Sequence, residues 1–394
     1  MTERSPGLSR RRLLGGAAAL GAVALTRPEQ AAAAEPDSPT ITAESCFGEH
    51  QAGLQPPLPA HATFIGLDLR DQLGKADVRR LLTVWADDIS RLTTGRPTLA
   101  DTAPELAQAG TGLTVTVGFG PGFFRLPGLA GQRPEWLAPL PDFAIDQLAD
   151  EWSGGDLLLQ LRGEDPLDLS HAQQMLLTNA AEFARVRWVQ RGFQRAAAVR
   201  QPGATGRNLM GYVDGTVNPV PGSPDFDRVV WCADGPEWLR GGTGMVLRRI
   251  RMDLTTWGAV DRPSRELIMG RRMESGAPLT GTVEADVPDL AARDANGMLT
   301  IPEFAHIRLA HQADGWERIS RQPYNYDDTS GSEPDAGLLF VAYAADPVRQ
   351  FVPIQRRLAD GDALNTWTTP VGSAVFAIPP GFSPGGYPGD RLLE

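Results

Sequence analysis

The order of strand-like and helix-like segments limits the fold of this chain more than any other feature of its sequence. A buried strand is predicted at residues 63–69, and apolar residues then recur at helical spacing over residues 78–92. Two further strands are predicted at residues 113–119 and 156–161, and residues 170–190 carry a second helical pattern. The first half of the chain therefore has the order β-α-β-β-α.

The second half repeats this pattern loosely. Strands are predicted at residues 244–252, 338–343 and 373–377, with a helix over residues 348–358 before the last strand. Such an order suits ferredoxin-like units, whose antiparallel sheets can carry helices on one face and leave the other face to a cofactor. We therefore expect an α+β fold of two ferredoxin-like domains in tandem, with antiparallel sheets and peripheral helices.

The first 34 residues have the layout of a bacterial export signal. Three arginines, residues 10–12, precede an uncharged Gly/Ala/Leu-rich run over residues 13–26, and the alanines of residues 31–34 offer a cleavage site. The run is shorter than the ~20 residues of a membrane-spanning helix. The paired arginines are typical of a twin-arginine (Tat) signal, so we expect cleavage after export by the Tat machinery, and a location outside the cell or in the cell envelope. A disordered basic leader is the alternative.

Composition suggests the remaining boundaries. A Pro-rich stretch leads into the fold, and a second stretch, rich in Pro, Gly and Asp, separates the two halves. We expect an opening segment at residues 35–61, an N-terminal ferredoxin-like domain at 62–216, a linker at 217–243 and a C-terminal ferredoxin-like domain at 244–394.

Charge and cysteine content argue against several kinds of site. The formal net charge is −11, and the leader carries five of the arginines but only two acids, so the rest of the chain is still more acidic. Nucleic acid is therefore not expected as a partner. Cys46 and Cys232 lie far apart and form no C-x-x-C pattern, which disfavours structural zinc, iron–sulfur clusters and covalently attached haem. Spacing alone leaves open whether the two cysteines pair.

Few histidines are available to bind a metal. Of the five in the sequence, His50 and His61 lie in the Pro/Gly-rich opening region. His306 lies between apolar residues and fits either a buried core histidine or a metal ligand. Residues 211–215 read G-x-x-D-G, in which Asp214 fits either a tight turn or a functional acid.

These pieces, with further matches in the same order, resemble the dye-decolourising peroxidases, and in particular their Tat-exported, class A-like bacterial members. The G-x-x-D-G motif is the best-known fingerprint of that family, and residues 211–215 fit it fully. The other matching segments are residues 268–279, 306–308, 321–327, 337–343 and 372–381. The resemblance covers nearly the whole chain after the leader.

The resemblance implies a haem peroxidase with one non-covalent haem b per chain, held mainly by the C-terminal domain. His306 then corresponds to the proximal ligand of the haem iron. Its second ring nitrogen is expected to donate a hydrogen bond to a carboxylate, for which Asp362 is the candidate and Asp360 the rival. Arg308, two residues after the ligand in a segment expected to be extended, would pair with a haem propionate.

Two residues are implied on the peroxide-binding side. Asp214 corresponds to the distal acid that moves a proton between the two oxygens during heterolytic O–O cleavage, and Arg321 to the cation that stabilises the developing charge. Hydrogen peroxide would give an oxyferryl intermediate, which dyes, phenolics or other one-electron donors return to rest. Because carboxylates have a reference pKa of ~4, we expect an acidic activity optimum.

The sequence departs from the family pattern near these residues. Residues 309–313 and 322–323 differ from the segments that usually follow the ligand and the distal arginine, and Pro323 lacks a backbone donor. The shape of the distal rim and the substrate preference are therefore not carried over from relatives.

Dyes too large for a buried haem pocket would need a path for electrons through aromatic side chains. Trp257, Tyr326 and Trp367 are candidate relay points, and core packing is the competing interpretation for each of them.

Two other functions remain open. One is a haem-handling or iron-uptake protein of the deferrochelatase type, in which His306 captures haem and peroxidase turnover is incidental. The other is an α+β binding protein without haem, in which the motif is accidental. An absorption spectrum with haem supplied separates the latter from both haem proteins.

Overall fold

The strands of the described residues pair antiparallel and join into one sheet of nine. The computed structural model describes residues 44–199, 204–311, 315–330 and 334–394. The predicted export signal, residues 1–34, lies outside them. None of the described helices is both long and apolar enough to cross a membrane.

Strands and helices follow one another along the whole described chain. The strands are β1 (His61–Leu69), β2 (Thr114–Phe119), β3 (Leu157–Gly163), β4 (Ala184–Phe193), β5 (Thr243–Met252), β6 (Ser320–Arg321), β7 (Tyr324–Asp327), β8 (Ala336–Ala344) and β9 (Thr368–Ile378). The α-helices are α1 (Lys75–Leu92), α2 (Pro166–Ala180), α3 (Pro224–Val230), α4 (Leu254–Ala259), α5 (Arg262–Met269), α6 (His306–Leu309), α7 (Pro347–Gln350), α8 (Val352–Gly361) and α9 (Asp390–Leu393).

The N-terminal half runs β1-α1-β2-β3-α2-β4, and its strands lie side by side in the order β4-β1-β3-β2. β1 is central, with Ile65 opposite Leu159 of β3 and opposite Val189 of β4. The apolar faces of α1 and α2 pack against this sheet, with Trp85 and Leu176 buried between them and the strands. This arrangement is the ferredoxin-like unit.

The C-terminal half repeats that arrangement. β9, β5, β8 and β7 lie side by side in this order, and β6 pairs with β8 as well. Helices α4 and α5 connect β5 towards β7, and α7 and α8 connect β8 to β9. The expectation of an α+β fold with two ferredoxin-like units and peripheral helices is confirmed.

The two units share a core. β2 meets β9 at Phe119 and Ala377, and β4 meets β7 at Phe193 and Asn325. Because β5 pairs with both β8 and β9, the strand order closes into a ring. Its interior, which we call the shared core, is filled by aromatic and aliphatic side chains from both units: Phe64, Leu158, Trp188, Phe226, Leu247, Tyr324, Tyr326, Tyr343 and Phe376 among others.

The segment between the halves contains packed structure. Residues 217–243 include α3, whose Phe226 and Val230 are buried in the shared core. The predicted boundaries at residues 62–216, 217–243 and 244–394 remain a prediction.

The helix predicted over residues 170–190 was wrong in its second part, because α2 ends at Ala180 and residues 184–193 form β4. Burial alternates along β4, with Trp188 and Gln190 buried between the exposed arginines 187 and 191. That period of two is the signature of a strand. Phe183 and Val186 fitted the helical spacing only by coincidence.

Candidate active site

His306 is the first residue of α6, a short helix that follows a turn at Pro302. Its Nδ1 donates a hydrogen bond to Asp362 Oδ2 at 2.6 Å, and the Asp362 side chain is only 3% exposed. The other carboxylate oxygen, Oδ1, accepts from the Leu364 backbone N–H at 2.9 Å. The Ala363 N–H donates to the Phe304 carbonyl at 3.1 Å, which ties the two segments together. Backbone contacts therefore fix the carboxylate, and the carboxylate fixes the imidazole.

The rival acid does not take part in this contact. Asp360 is exposed on α8, whereas Asp362 lies at the end of that helix and turns inward. The structure thus brings His306 together with Asp362, the candidate preferred from the sequence.

This arrangement fits an iron-porphyrin ligand. With Nδ1 occupied by a carboxylate, the Nε2 lone pair is the one left to bind a metal, and the His306 side chain is 23% exposed. A histidine whose second nitrogen is held by a carboxylate is the usual pattern of a metal-binding imidazole. A porphyrin supplies the remaining nitrogen ligands itself, so a single protein ligand is sufficient.

Asp214 lies in a turn that its glycines make possible. Gly211 and Gly215 have φ angles of +92° and +117°, which residues other than glycine rarely adopt. The Asp214 N–H donates to the Gly206 carbonyl at 2.9 Å, and Val213 forms a β-bridge with Arg207. The motif therefore presents the carboxylate from a fixed backbone.

Arg321 meets Asp214 across 107 residues of sequence. Its Nη1 lies 3.0 Å from Asp214 Oδ1, with side chains 24% and 11% exposed. Oδ1 is buried and accepts no hydrogen bond from the described residues, so its contact with Arg321 is one of charge. The pair is thus an ion pair in which the carboxylate oxygen keeps capacity to accept a proton from a further group.

A buried cation lies near the partly exposed Arg321. Arg271 is 8% exposed and donates through Nη1 to the carbonyls of Gly276 and Glu284 at 2.6 and 2.9 Å. Burial lowers the pKa of Arg271, and the charge of Arg321 acts in the same direction while Glu284 opposes both. The Glu284 carboxylate also accepts from Thr216, next to the Asp214 turn, at 2.8 Å. The segment that contains Arg271 matched the family in sequence, but the match assigned this residue no role.

Arg308 does not have the predicted conformation. It lies in a helical turn rather than an extended segment, so its side chain and that of His306 lie on different faces. Its guanidinium donates to the carbonyls of Leu290, Ile301 and Pro302. The turn forms because the N–H groups of Arg308 and Leu309 bond to the Ala305 carbonyl. Pairing of Arg308 with a propionate stays a prediction.

A mainly apolar group of side chains, which we call the site cluster, connects the two candidate pairs. Its buried members are Met210, Tyr212, Met252, Trp257, Ile268, Met269 and Leu338. Tyr212 belongs to the Asp214 turn, and Ala363 and Leu364, which follow Asp362, also pack against the cluster. The Asp214 turn and the histidine–carboxylate pair are therefore built on one packed unit.

Two of the three predicted relay residues meet in this cluster. The rings of Trp257 and Trp367 are 5.2 Å apart, and those of Tyr212 and Trp257 are 6.4 Å apart. Tyr326 lies instead in the shared core, with the Arg249 guanidinium 3.7 Å from its ring centroid. Burial raises the pKa of the Tyr212 hydroxyl, so that it stays protonated. The sequence did not indicate Tyr212 as a relay candidate, because it occupies an unspecified position of the G-x-x-D-G motif.

Pro323 contributes to a small pocket beside Asp214. The pocket is also lined by Asn208, Asn325 and Leu338. The Pro323 carbonyl accepts a hydrogen bond from the Gln194 side chain, and proline has no N–H to offer. This wall of the pocket therefore lacks one backbone donor.

Comparisons with known proteins agree on the family. Residues 51–194 match the family described as Dyp-type peroxidase, N-terminal, and residues 205–383 match Dyp-type peroxidase, C-terminal. A dye-decolorizing peroxidase of Thermobifida fusca is 43% identical over 87% of this chain and 84% of its own length. A deferrochelatase of Yersinia pestis is 33% identical over 98% and 95%.

A solved structure shows the same likeness in three dimensions. A DyP-type peroxidase from Cellulomonas bogoriensis superposes with a TM-score of 0.87 at 50% identity, covering 91% of this chain and 99% of that one. Together with the two consecutive family matches, this shows that the chain belongs to the Dyp-type peroxidases, haem-dependent oxidoreductases that use hydrogen peroxide.

Proposed function

We propose that in this peroxidase His306 binds the haem iron, while Asp214 and Arg321 act on hydrogen peroxide. The observation that carries the proposal is the Asp214 carboxylate, whose buried Oδ1 accepts no hydrogen bond from the described residues although a guanidinium nitrogen lies 3.0 Å away. A buried acceptor is costly to leave unpaired. A substrate that brings its own proton would complete it.

The haem is proposed to be a non-covalent haem b, one per chain. When bound, it supplies the iron that binds peroxide and the redox capacity of the reaction. His306 Nε2 is the proposed ligand, and Asp362 accepts the hydrogen bond from Nδ1. That bond makes the imidazole a stronger electron donor, which favours oxidised iron. Both cysteines are buried and neither belongs to a C-x-x-C-H motif, which favours non-covalent attachment.

On the peroxide side, the two residues have separate tasks. Asp214 Oδ1 would take the proton from one peroxide oxygen and return it to the other, which leaves as water. The permanent charge of Arg321 would stabilise the negative charge that develops before the proton arrives. Carboxylates have a reference pKa of ~4 and remain bases where imidazole is protonated. We therefore propose an acidic optimum with dyes, phenolics or other one-electron donors.

Bulky donors are proposed to react at a distance from the haem. The contacts between Tyr212, Trp257 and the partly exposed Trp367 offer a path for electrons through the site cluster. Export by the Tat pathway remains part of the proposal and concerns residues outside the described ones.

A single-turnover experiment tests the proposal. Purified protein loaded with haem is mixed with one equivalent of hydrogen peroxide in a stopped-flow spectrometer. We expect a rapid change of the Soret band, followed by recovery in two steps when a phenolic donor is added. A Soret band that does not respond to peroxide would refute the peroxidase function.

A second candidate function follows from the deferrochelatase match, which spans nearly the whole chain. In that case iron would leave and an intact metal-free porphyrin would remain. Its fluorescence distinguishes the two functions, because a peroxidase retains iron during turnover. The Asp214–Arg321 pair supports the peroxidase function, because O–O cleavage needs an acid–base group with a stabilising cation beside it.

A further inference from the structure

We propose that Asn218 is a positioning residue that locks the Asp214 turn to the Arg321 strand and so sets the distance between carboxylate and guanidinium. The inference rests on the proposed roles of Asp214 and Arg321. Neither the motif nor the family match assigns a role to Asn218, which follows the G-x-x-D-G motif in the stretch that the sequence predicts as a linker.

The Asn218 side chain makes two hydrogen bonds to one residue. Its Nδ2 donates to the Arg321 carbonyl at 2.6 Å, and the Arg321 N–H donates to its Oδ1 at 2.9 Å. The two residues are 103 positions apart in sequence. A neighbouring strand would bond to the Arg321 carbonyl and N–H in the same way, but here an amide side chain makes both hydrogen bonds.

The strand that carries Arg321 has an open edge for this contact. β6 pairs with β8 on one side, where Arg321 lies opposite Ala342, and β6 is the last strand in the sheet order. Both main-chain groups of Arg321 point away from β8, since both bond to Asn218. Without Asn218 this end of a two-residue strand would lose both of these bonds.

The other end of the connection reaches the catalytic carboxylate. The Asn218 N–H donates to the Gly215 carbonyl at 3.0 Å, closing a turn directly after Asp214. A Cβ at Gly215 would lie 3.3 Å from Asn218 Nδ2, so the glycine makes room for the amide. Asp214, Gly215, Asn218 and Arg321 thus form one continuous chain of short contacts.

A primary amide matches what this position requires. It offers a donor and an acceptor side by side, as the Arg321 backbone requires. A carboxylate has two acceptors, one of which would face the Arg321 carbonyl. A neutral, protonated carboxyl group regains a donor and becomes an approximate copy of the amide.

The main test is Asn218→Ala in the full-length, haem-loaded protein. We expect the rate constant for reaction with hydrogen peroxide to fall by about 10- to 100-fold, because small misplacements of catalytic groups have effects of that size. Haem content and the KM for a small phenolic donor should not change. Asn179→Ala is the matched control, since Asn179 donates a part-buried bond to Asp88 at 2.6 Å within the N-terminal unit.

A double-mutant cycle shows whether Asn218 acts through Arg321. In an Arg321→Ala background, Asn218→Ala should cost little further rate, because the guanidinium it positions is gone. Full additivity of the two losses would contradict the proposal.

Asn218→Asp adds a rescue by pH. At about pH 7 it should be as slow as Asn218→Ala, and its rate relative to wild type should recover towards about pH 4, as the new carboxyl group takes up a proton. The Asn218→Ala ratio should stay flat over this range. If the rate relative to wild type were the same for both variants and did not change with pH, the proposal would be overturned. Because each ratio is followed over pH within one variant, poor folding of the other variant does not affect this conclusion.

The parallel variants Asp214→Asn and Arg321→Ala separate this inference from the proposed function. If both react as fast as wild type, the proposed roles fail. If both are slow while Asn218→Ala is not, the roles stand and the positioning proposal fails.

Discussion

The His306–Asp362 pair and the Asp214–Arg321 pair each join a nitrogen-containing side chain to a carboxylate, yet they are built differently. Asp362 is nearly fully buried, and each of its oxygens accepts a hydrogen bond. Asp214 Oδ1 has no such bond from the described residues, although its cation is at 3.0 Å. A carboxylate that accepts a hydrogen bond at both oxygens fixes the orientation of its partner, while one with an oxygen that accepts none keeps room for a proton from a substrate. This difference agrees with the proposal that the first pair retains the cofactor and the second acts on the substrate.

The difference extends to the backbone. His306 and Asp362 are joined directly, and next to them the Ala363 N–H bonds to the Phe304 carbonyl. Asp214 and Arg321 are also connected through the side chain of a third residue, Asn218, which bonds to the Arg321 backbone. The peroxide side should therefore be more sensitive to substitutions that lie outside the pair itself.

The largest expected effect is on haem retention. His306→Ala removes the only proposed iron ligand, so haem should be lost on gel filtration, and the ratio of Soret to protein absorbance should fall close to zero. Imidazole added to the buffer should restore part of that absorbance, because it can occupy the place of the missing side chain and bind the iron. Retention of haem at the wild-type ratio would mean that another residue binds the iron.

Substitution on the peroxide side should leave haem in place and slow the chemistry. For Asp214→Asn we expect a loss of about 10²- to 10⁴-fold in the rate of peroxide reaction. Arg321→Ala should cost about 10²- to 10³-fold, the usual effect of removing a charge-stabilising donor. Stopped-flow traces at several peroxide concentrations measure both. Loss of haem in either variant would contradict the proposal that only the His306–Asp362 pair retains the cofactor.

The residues of both pairs were predicted from the sequence, but only the family resemblance separated them from ordinary core and turn residues. His306 is flanked by apolar residues, as many buried histidines are. The inward turn of Asp362 depends on backbone bonds to Leu358 and Leu364 at the end of α8, which spacing does not encode. The proposed role of Asn218 could not be predicted from the sequence, because it depends on a contact with Arg321, 103 positions away.

The fold was predictable where periodicity was strong and unambiguous. The order of elements indicated both ferredoxin-like units, while β4 was predicted as helix because Phe183 and Val186 also fit a helical period. The helix expected over residues 348–358 is broken at Phe351, where Pro353 opens α8 and cannot continue the bonds of α7. The ring formed by the two units rests on pairings at Phe119 and Phe193, which join residues far apart in sequence.

A moderate effect is expected from the carboxylate behind His306. Asp362→Asn should weaken haem binding by about 10- to 100-fold and raise the reduction potential of the iron, because the imidazole becomes a weaker donor. Haem transfer to apomyoglobin and a spectroelectrochemical titration measure the two. Asp360→Asn is the matched control on the same helix and should change neither. Equal effects of both substitutions would mean that only local charge matters.

The smallest effect should fall on the site cluster that joins the two pairs. Trp257→Phe keeps an aromatic ring against Tyr212 and Trp367 but removes a side chain that can be oxidised readily. We expect a severalfold loss of kcat for a bulky anthraquinone dye, with the peroxide reaction and oxidation of a small phenol unchanged. Tyr326→Phe is the control, since Tyr326 packs in the shared core under Arg249. An equal loss of kcat for the small phenol would mean that the substitution disturbs the haem pocket itself. A separate path for electrons through Trp257 would then not be needed to explain the oxidation of bulky donors.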